Sequence, residues 1–308
     1  MNKIYEDITI VTVLYNSAQI NEIFFENLKN FKTIVVDNGK NEVILDKIKT
    51  YKNIKIISKN KNLGYGSAVN FAYKNISTKF FLILNPDINI DENSIDTLYN
   101  ILDQQNDCGI VAPIIYPDED FYGAFPERNL KKLTLTNALK SRNFLSKPKI
   151  EGDICVDVAK WALLIKSKQF EKVGGFNEKL FLFWEEIDLC RRFRSKKLSV
   201  IITPKSKAEH KQNKSSDSNF QNFLIKTYYH EYSPLVYFNV QTFSFFHLKR
   251  IMKYLLRGIS YLIILNLKKS LTYFLRLSAN IRYFVIINCL SSVRPNRNNR
   301  YWCFKFLF

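Results

Sequence analysis

The first hundred residues alternate four times between a short β-rich run and a stretch with helical periodicity. The runs are ITIVTVL (8–14), TIVVD (33–37), IKIIS (54–58) and FFLIL (80–84). Each precedes apolar residues at three- and four-residue steps: NEIFFENLKN, EVILDKIKTY, the stretch after Gly64, and SIDTLYNILDQQ. A βαβαβαβ order predicts a Rossmann-like α/β fold, a mostly parallel sheet with helices on both faces. In open sheets of this kind ligands bind beyond the carboxyl ends of the strands. Those ends read Tyr15-Asn16, Asp37-Asn38-Gly39, Asn60 to Gly66, and Asn85-Pro86-Asp87, and all four are polar.

The fourth end is the most unusual. Proline cannot continue a ladder that needs its N–H, so Pro86 ends the strand and aims Asp87 out of the sheet's top edge into the crevice. A carboxylate there suits Mg²⁺ or Mn²⁺, hard cations that take oxygen ligands and bridge substrate phosphates. The plainer reading is a turn in which Asp87 opens an Asx-type loop.

Charge separates the chain into two parts. Of 308 residues, 46% are hydrophobic and 15% aromatic, which suffices for one large domain plus an appendage. Lys and Arg outnumber Asp and Glu by 46 to 28, a net +18 that favours nucleotides, nucleic acid or an acidic membrane surface as partner. Tyr232 to Phe308 contain twelve Lys or Arg and no acid, so the excess is local. After Ser216, and clearly over 245–290, Leu, Ile, Phe and Tyr mix with Lys and Arg at three- and four-residue steps. The longest charge-free runs there, 258–267 and 283–293, fall short of the ~20 residues that cross a bilayer. Basic amphipathic helices lying in a membrane interface fit this pattern, and so does a helical domain packed on the catalytic one with a solvated basic face. RNA binding rests on charge alone, and no nucleic-acid motif accompanies it. Acids at Glu6 and Asp7 before a short apolar run are not an export-signal pattern. The five cysteines are scattered without a Cys-x-x-Cys pair, which suggests neither a disulfide framework nor a zinc site. Both observations lead us to expect a cytoplasmic protein.

Six stretches carry a resemblance: VTVLYNS (11–17), IVVDNGKN (34–41), KNLGYGSAVN (61–70), LNPDINI (84–90), VGGFNEKLFLFWEEIDLCRR (173–192) and HKQNKSS (210–216). Together, in this order, they resemble glycosyltransferase family 2, of the GT-A fold, and most of all its bacterial rhamnosyltransferase-like enzymes. The resemblance implies a catalytic domain over 1–216 and a basic helical region over 217–308. It implies inverting transfer of rhamnose or a similar sugar from a dTDP- or UDP-linked donor to a growing, lipid-linked surface glycan such as O-antigen or capsule. The site would be cytoplasmic, peripheral on the inner face of the membrane, with an anionic lipid surface and no nucleic acid as partner. A catalytically inactive nucleotide-sugar-binding module or a basic RNA-binding protein is the alternative.

Residue by residue, the resemblance assigns donor binding to Tyr15, Asn16, Asp37, Asn38, Asn62, Gly64, Asn70 and Asn85. Asp37 would accept the imide N–H of a uracil or thymine ring, or is an ordinary turn aspartate. Gly64 and Gly66 would admit a diphosphate to the amides and positive dipole end of the following helix, or form a helix-entry loop. Asn70 would face the donor or solvent. Asp87 and His210 would hold the divalent cation, imidazole being a reasonable Mn²⁺ ligand, although a lone histidine is more often a surface or core residue. If a helix starts near Trp184, the acids Glu185, Glu186 and Asp188 occupy its first turns, where the dipole favours them, with Glu185, Asp188 and Arg192 on one stripe and Glu186 beside it. The resemblance makes Trp184, Glu185 and Asp188 the sugar and acceptor site, and Glu186 the general base. This chain has Glu185-Glu186 where the family usually has Glu-Asp, so its base is one methylene longer. Asn213 and Lys214 replace the family's usual glycine between His210 and Ser215.

Overall fold

The structure, a computed structural model, describes residues 3–16, 22–39, 41–117, 124–126, 134–135, 152–210, 220–240 and 243–292. Two compact units divide the chain, Met1–Asn222 and Phe223–Phe308. The boundary expected at Ser216 lies outside the described residues.

The first unit is built on one sheet of ten strands among the described residues, ordered β3-β2-β1-β4-β9-β6-β10-β8-β7, with β5 added beside β10. Four strands follow the periodicity closely: β1 Ile8–Leu14, β2 Lys32–Asp37, β3 Ile54–Ser58 and β4 Phe80–Leu84, all pairing in parallel. Helices α1 Lys3–Asp7, α2 Glu22–Glu26, α3 Glu42–Ile48, α4 Tyr65–Tyr73 and α5 Glu92–Gln104 intervene. The strand sequences are continuous apolar runs because both faces are covered. Phe80, Leu82 and Leu84 enter one core layer with Phe25, Leu28, Ile48 and Leu98, whereas Phe81 and Ile83 enter the other with Ala68, Val69 and Phe193.

The second half of the sheet is mixed. It comprises β5 Ile88–Ile90, β6 Cys108–Tyr116, β7 Ala124–Pro126, β8 Ile154–Ala159, β9 Ala162–Lys166 and β10 Ser199–His210, with α6 Ser167–Lys172 and α7 Glu185–Ser195 after β9. The antiparallel strand β9 inserts between β4 and β6, and the parallel order resumes between β6 and β10. The four-fold alternation ends at β4, and beyond it antiparallel pairs join the parallel β6–β10 pair.

The second unit consists of α8 Phe220–Tyr237, α9 Phe245–Ile263 and α10 Leu267–Ser292, the first of which begins just before it. Among the described residues no helix is long and apolar enough to cross a membrane. Three helices meet at Glu231, 4% exposed, which pairs with Arg250, accepts from the Tyr254 hydroxyl at 3.0 and 3.1 Å, and accepts from Asn280 Nδ2 at 3.1 Å. The last acid of the chain is thus inside the bundle, neutralised by one of the cations that follow it.

Candidate active site

The Asn85-Pro86-Asp87 break is a turn with a purpose. The Ile88 amide donates to Asn85 O at 3.0 Å, so Pro86 occupies the second position of a reverse turn, where its fixed φ is favoured. The chain leaving the turn becomes β5, which pairs antiparallel with the end of β10 and sets Ile88 opposite His210. That register brings Asp87 beside His210 across 123 residues of sequence, with Nε2 3.2 Å from Oδ2. Asp87 is 7% exposed, more enclosed than the open strand end expected for it. Its Oδ1 is buried without a hydrogen-bond partner. The Trp161 ring stacks on the imidazole at 4.8 Å and 29°.

A divalent cation fits these atoms. An orphaned buried carboxylate oxygen costs on the order of 1–3 kcal/mol unless something binds it, and a hard cation is a natural occupant. Among the described residues no third His, Cys, Asp or Glu joins the pair, so further ligands would come from substrate oxygens and water, as Mg²⁺ sites commonly use.

The residues expected to bind the donor fall in three sets. Asn38 Nδ2 donates to Asn62 Oδ1 at 2.9 Å, and the Leu63 amide donates to Asn38 Oδ1 at 2.7 Å, so these two asparagines shape the loop between β3 and α4. Asp37 Oδ1 accepts from Asn41 Nδ2 at 2.6 Å and the Gly39 amide at 3.3 Å, which fixes the carboxylate at the β2 end. Tyr15 and Asn16 lie directly against Gly39, where a Cβ would stand 2.9 Å from the Tyr15 ring and 3.0 Å from Asn16 Oδ1. Asn85 accepts the Tyr65 hydroxyl at 2.8 Å.

Three of the expected site positions make contacts within the chain itself. The close approach that Gly64 and Gly66 permit is made by the chain itself. Gly64 has φ +80°, and a Cβ there would stand 2.3 Å from Phe181 O, while one on Gly66 would meet Phe176 at 2.9 Å. The Tyr65 amide at the start of α4 already donates to Phe181 O at 3.1 Å. Asn70 does not point to solvent: its amide donates to Phe176 O at 3.0 Å and Glu178 at 3.1 Å and accepts from the Phe176 amide at 2.8 Å. It clamps the 176–181 loop to α4. Asp188 is held by Arg192, 2.7 Å away, which also donates to Val173 O at 2.7 Å, so it ties α7 to the loop before it.

The acid pair opens α7 as the pattern predicts, with Glu185 first and Trp184 before it. Phe183 and Trp184 both lie in the left-handed region, φ 66° and 75°, as does Trp161 at 70°. Each such residue costs roughly 1–3 kcal/mol, and clusters of them mark functional sites. Glu185 is 3% exposed and its Oε2 has no hydrogen-bond partner. Burial, then the charge of Glu186, pushes its carboxyl well above the usual range. Burial also raises Glu186, with the Lys160 cation opposing it. Glu186 keeps more solvent exposure than Glu185.

Tyr65, Lys160 and Trp161 belong to this site and escape the sequence reading. Burial, then the charges of Glu186, Glu185 and Asp87, raises the Tyr65 phenol, whose hydroxyl donates to Asn85 at the start of the Asp87 turn. An aromatic between two glycines at a helix start is a usable signal for it. Lys160 and Trp161 connect β8 to β9, which pair not with each other but with strands distant in the sequence, a pattern no local window announces.

The model of the family described as Glycosyl transferase family 2 matches residues 9–168, more than half of the chain. The protein belongs to glycosyltransferase family 2. Among its relatives is the low-salt glycan biosynthesis hexosyltransferase Agl10 of Haloferax volcanii, 26% identical over 204 residues, 63% of this chain and 64% of that one. This chain therefore matches less than two thirds of that relative's length. The N-acetylglucosaminyl-diphospho-decaprenol L-rhamnosyltransferase of Mycobacterium tuberculosis is 24% identical over 239 residues, 66% of this chain and 75% of that one. The dTDP-rhamnosyl transferase RfbF of Shigella flexneri is 25% identical over 210 residues, covering 66% and 69%. The solved mannosyltransferase PcManGT of Pyrobaculum calidifontis, in complex with GDP-Man and Mn²⁺, aligns with a TM-score of 0.53 at 12% identity, over 93% of this chain and 76% of that one. At that identity the likeness is one of fold, and the fold is GT-A.

Proposed function

We propose that this protein transfers a sugar, rhamnose or a close relative, from a dTDP- or UDP-linked donor to a lipid-linked glycan acceptor, with inversion at the anomeric carbon. The observation that carries the reading is the Asp87–His210 pair, 3.2 Å apart at a strand-end turn whose Asn85 accepts the Tyr65 hydroxyl, in a chain whose α7 opens on the acid pair. Glu186 takes the proton from the acceptor hydroxyl as its oxygen bonds to the anomeric carbon, and the bond from that carbon to the diphosphate breaks in the same displacement. Asp87 and His210 would hold a divalent cation, Mg²⁺ or Mn²⁺, which would supply positive charge to the departing diphosphate. Asp37 faces the base, and the Asn38–Asn62 loop borders the phosphates. Trp184 and Glu185 wall the sugar and acceptor side. The names of the relatives support a nucleotide-sugar donor and an isoprenoid-linked acceptor. The acid-free basic region supports work at the anionic, cytoplasmic face of a membrane.

Glu186→Gln tests the reading. It should bind nucleotide as the native protein does but transfer sugar roughly 10² to 10⁴ times more slowly, the usual worth of general-base catalysis. Glu186→Asp, one methylene shorter, should retain activity. Native rates in Glu186→Gln, or a larger loss in Glu185→Gln, would move the base elsewhere.

A further inference from the structure

We propose that the outward face of α9 and the turn that follows it form a monotopic docking surface for an anionic lipid bilayer. Phe245, Leu248, Met252, Leu256, Ile259 and Ile263 recur at steps of three and four residues. At 3.6 residues per turn they fall within an arc of about 80°. All six are exposed, from 41% at Ile259 to 74% at Ile263. His247, Tyr254 and Gly258, the buried residues of the same helix, lie on the opposite side, where Gly258 packs against Phe274 of α10 and accepts the Ser270 hydroxyl at 2.9 Å. The helix is thus apolar on two sides, and the second unit uses only one. The stripe continues past the helix end through Ile264, Leu265 and Leu267, at 66%, 80% and 63% exposure.

Charge complementarity selects the occupant. Lys249, Lys253 and Arg257 follow one another at steps of four along one flank of the stripe, and Lys268 and Lys269 stand just beyond its end. No acid follows Glu231 in the sequence, and Glu231 is buried against Arg250, so the exposed surface of this region carries cations alone. A protein partner of ordinary mixed charge has no use for such a flank, and a second copy of the chain would bring like charge against it. An anionic interface suits both features, with apolar side chains among the acyl chains and cations among the headgroups. The stripe is one helix face wide, and no described helix can span, so α9 would lie in the interface plane. The inference rests on the proposed reading only in that a lipid-linked acceptor would be found at that surface.

The test is flotation of the full chain with vesicles of phosphatidylcholine containing about 30% phosphatidylglycerol, at about 0.1 M and about 0.5 M salt. The native protein should float at both, more weakly at high salt. Met252→Glu with Leu256→Glu, both solvent-exposed positions, should lower partitioning at least about 10-fold with an unchanged thermal melt. Lys249→Gln with Lys253→Gln and Arg257→Gln should remove the salt-sensitive part and leave the rest. Native-like flotation of the double glutamate variant would overturn the proposal. So would a native protein that ignores vesicles and self-associates through this face, seen as dimers that the glutamates dissociate. A thermal shift with dTDP or UDP and Mn²⁺ on the same samples separates the two readings. Lost flotation with intact nucleotide binding counts against the stripe alone, and intact flotation without nucleotide binding counts against sugar transfer alone.

Discussion

Glu185 carries a carboxyl into a place where only its protonated form is comfortable. Its Oε2 is buried without a partner, and burial and the neighbouring Glu186 both raise its pKa. The folded state therefore holds a proton that the unfolded chain releases near the ordinary value of 4.5. The stability Glu185 contributes is present below that value and is lost as pH rises through the folded pKa, so at alkaline pH the residue works against the fold. Glu185→Gln should accordingly raise the melting temperature at about pH 8 and leave it nearly unchanged at about pH 4, as differential scanning fluorimetry would record. An equal gain at both, or a loss at the higher pH, would contradict that account. The left-handed Trp161, Phe183 and Trp184 are strain of the same kind, stored where the chemistry is proposed and offset by the core beneath.

Gly64 shows how an element can be legible in sequence while its partner is not. The motif NLGYGSAVN announces a glycine entry to α4, but the atom that demands glycine is a carbonyl of Phe181, more than a hundred residues later. Gly64→Ala combines a left-handed φ with a backbone collision, so it should cost several kcal/mol by chemical denaturation and loosen the 176–181 loop. Full native stability would mean the loop does not pack there. The same division runs through the site. The four parallel strands, the α7 acids and the Asp87 turn could be read from local patterns, because proline, apolar runs and dipole-matched acids act within a few residues. Pairing of β5 with β10, the insertion of β9, and the use of Asn70 and Asp188 as clamps depend on long-range register, which no window of the sequence contains. In the second unit the Glu231–Arg250–Tyr254–Asn280 cluster joins three helices. Glu231→Ala would strand Arg250 in the bundle and should cost about 3–5 kcal/mol, whereas replacing Glu231 and Arg250 together by Met should recover most of it. A small loss in the single variant would show the arginine reaching water.

Taken whole, the molecule carries a family 2 glycosyltransferase sheet and a basic helical unit that no described acid balances on its surface. Net charge of +18 favours an anionic partner of some kind, and the proposed site chemistry would narrow that partner to a nucleotide diphosphate. The central claim is that Asp87 and His210 bind such a donor together with a divalent cation. Its most direct measurement is the melting temperature of the full chain with UDP and with dTDP, with Mn²⁺ or with chelator, in the native protein and in His210→Ala. A ligand at about 100 times its Kd stabilises the native state by about 2.7 kcal/mol, well within reach of the method. The native protein should be stabilised by at least one of the two nucleotides when Mn²⁺ is present and far less in chelator, with the Mn²⁺-dependent part lost in His210→Ala. No stabilisation by either nucleotide under any condition, or an equal shift in chelator and in His210→Ala, would contradict it.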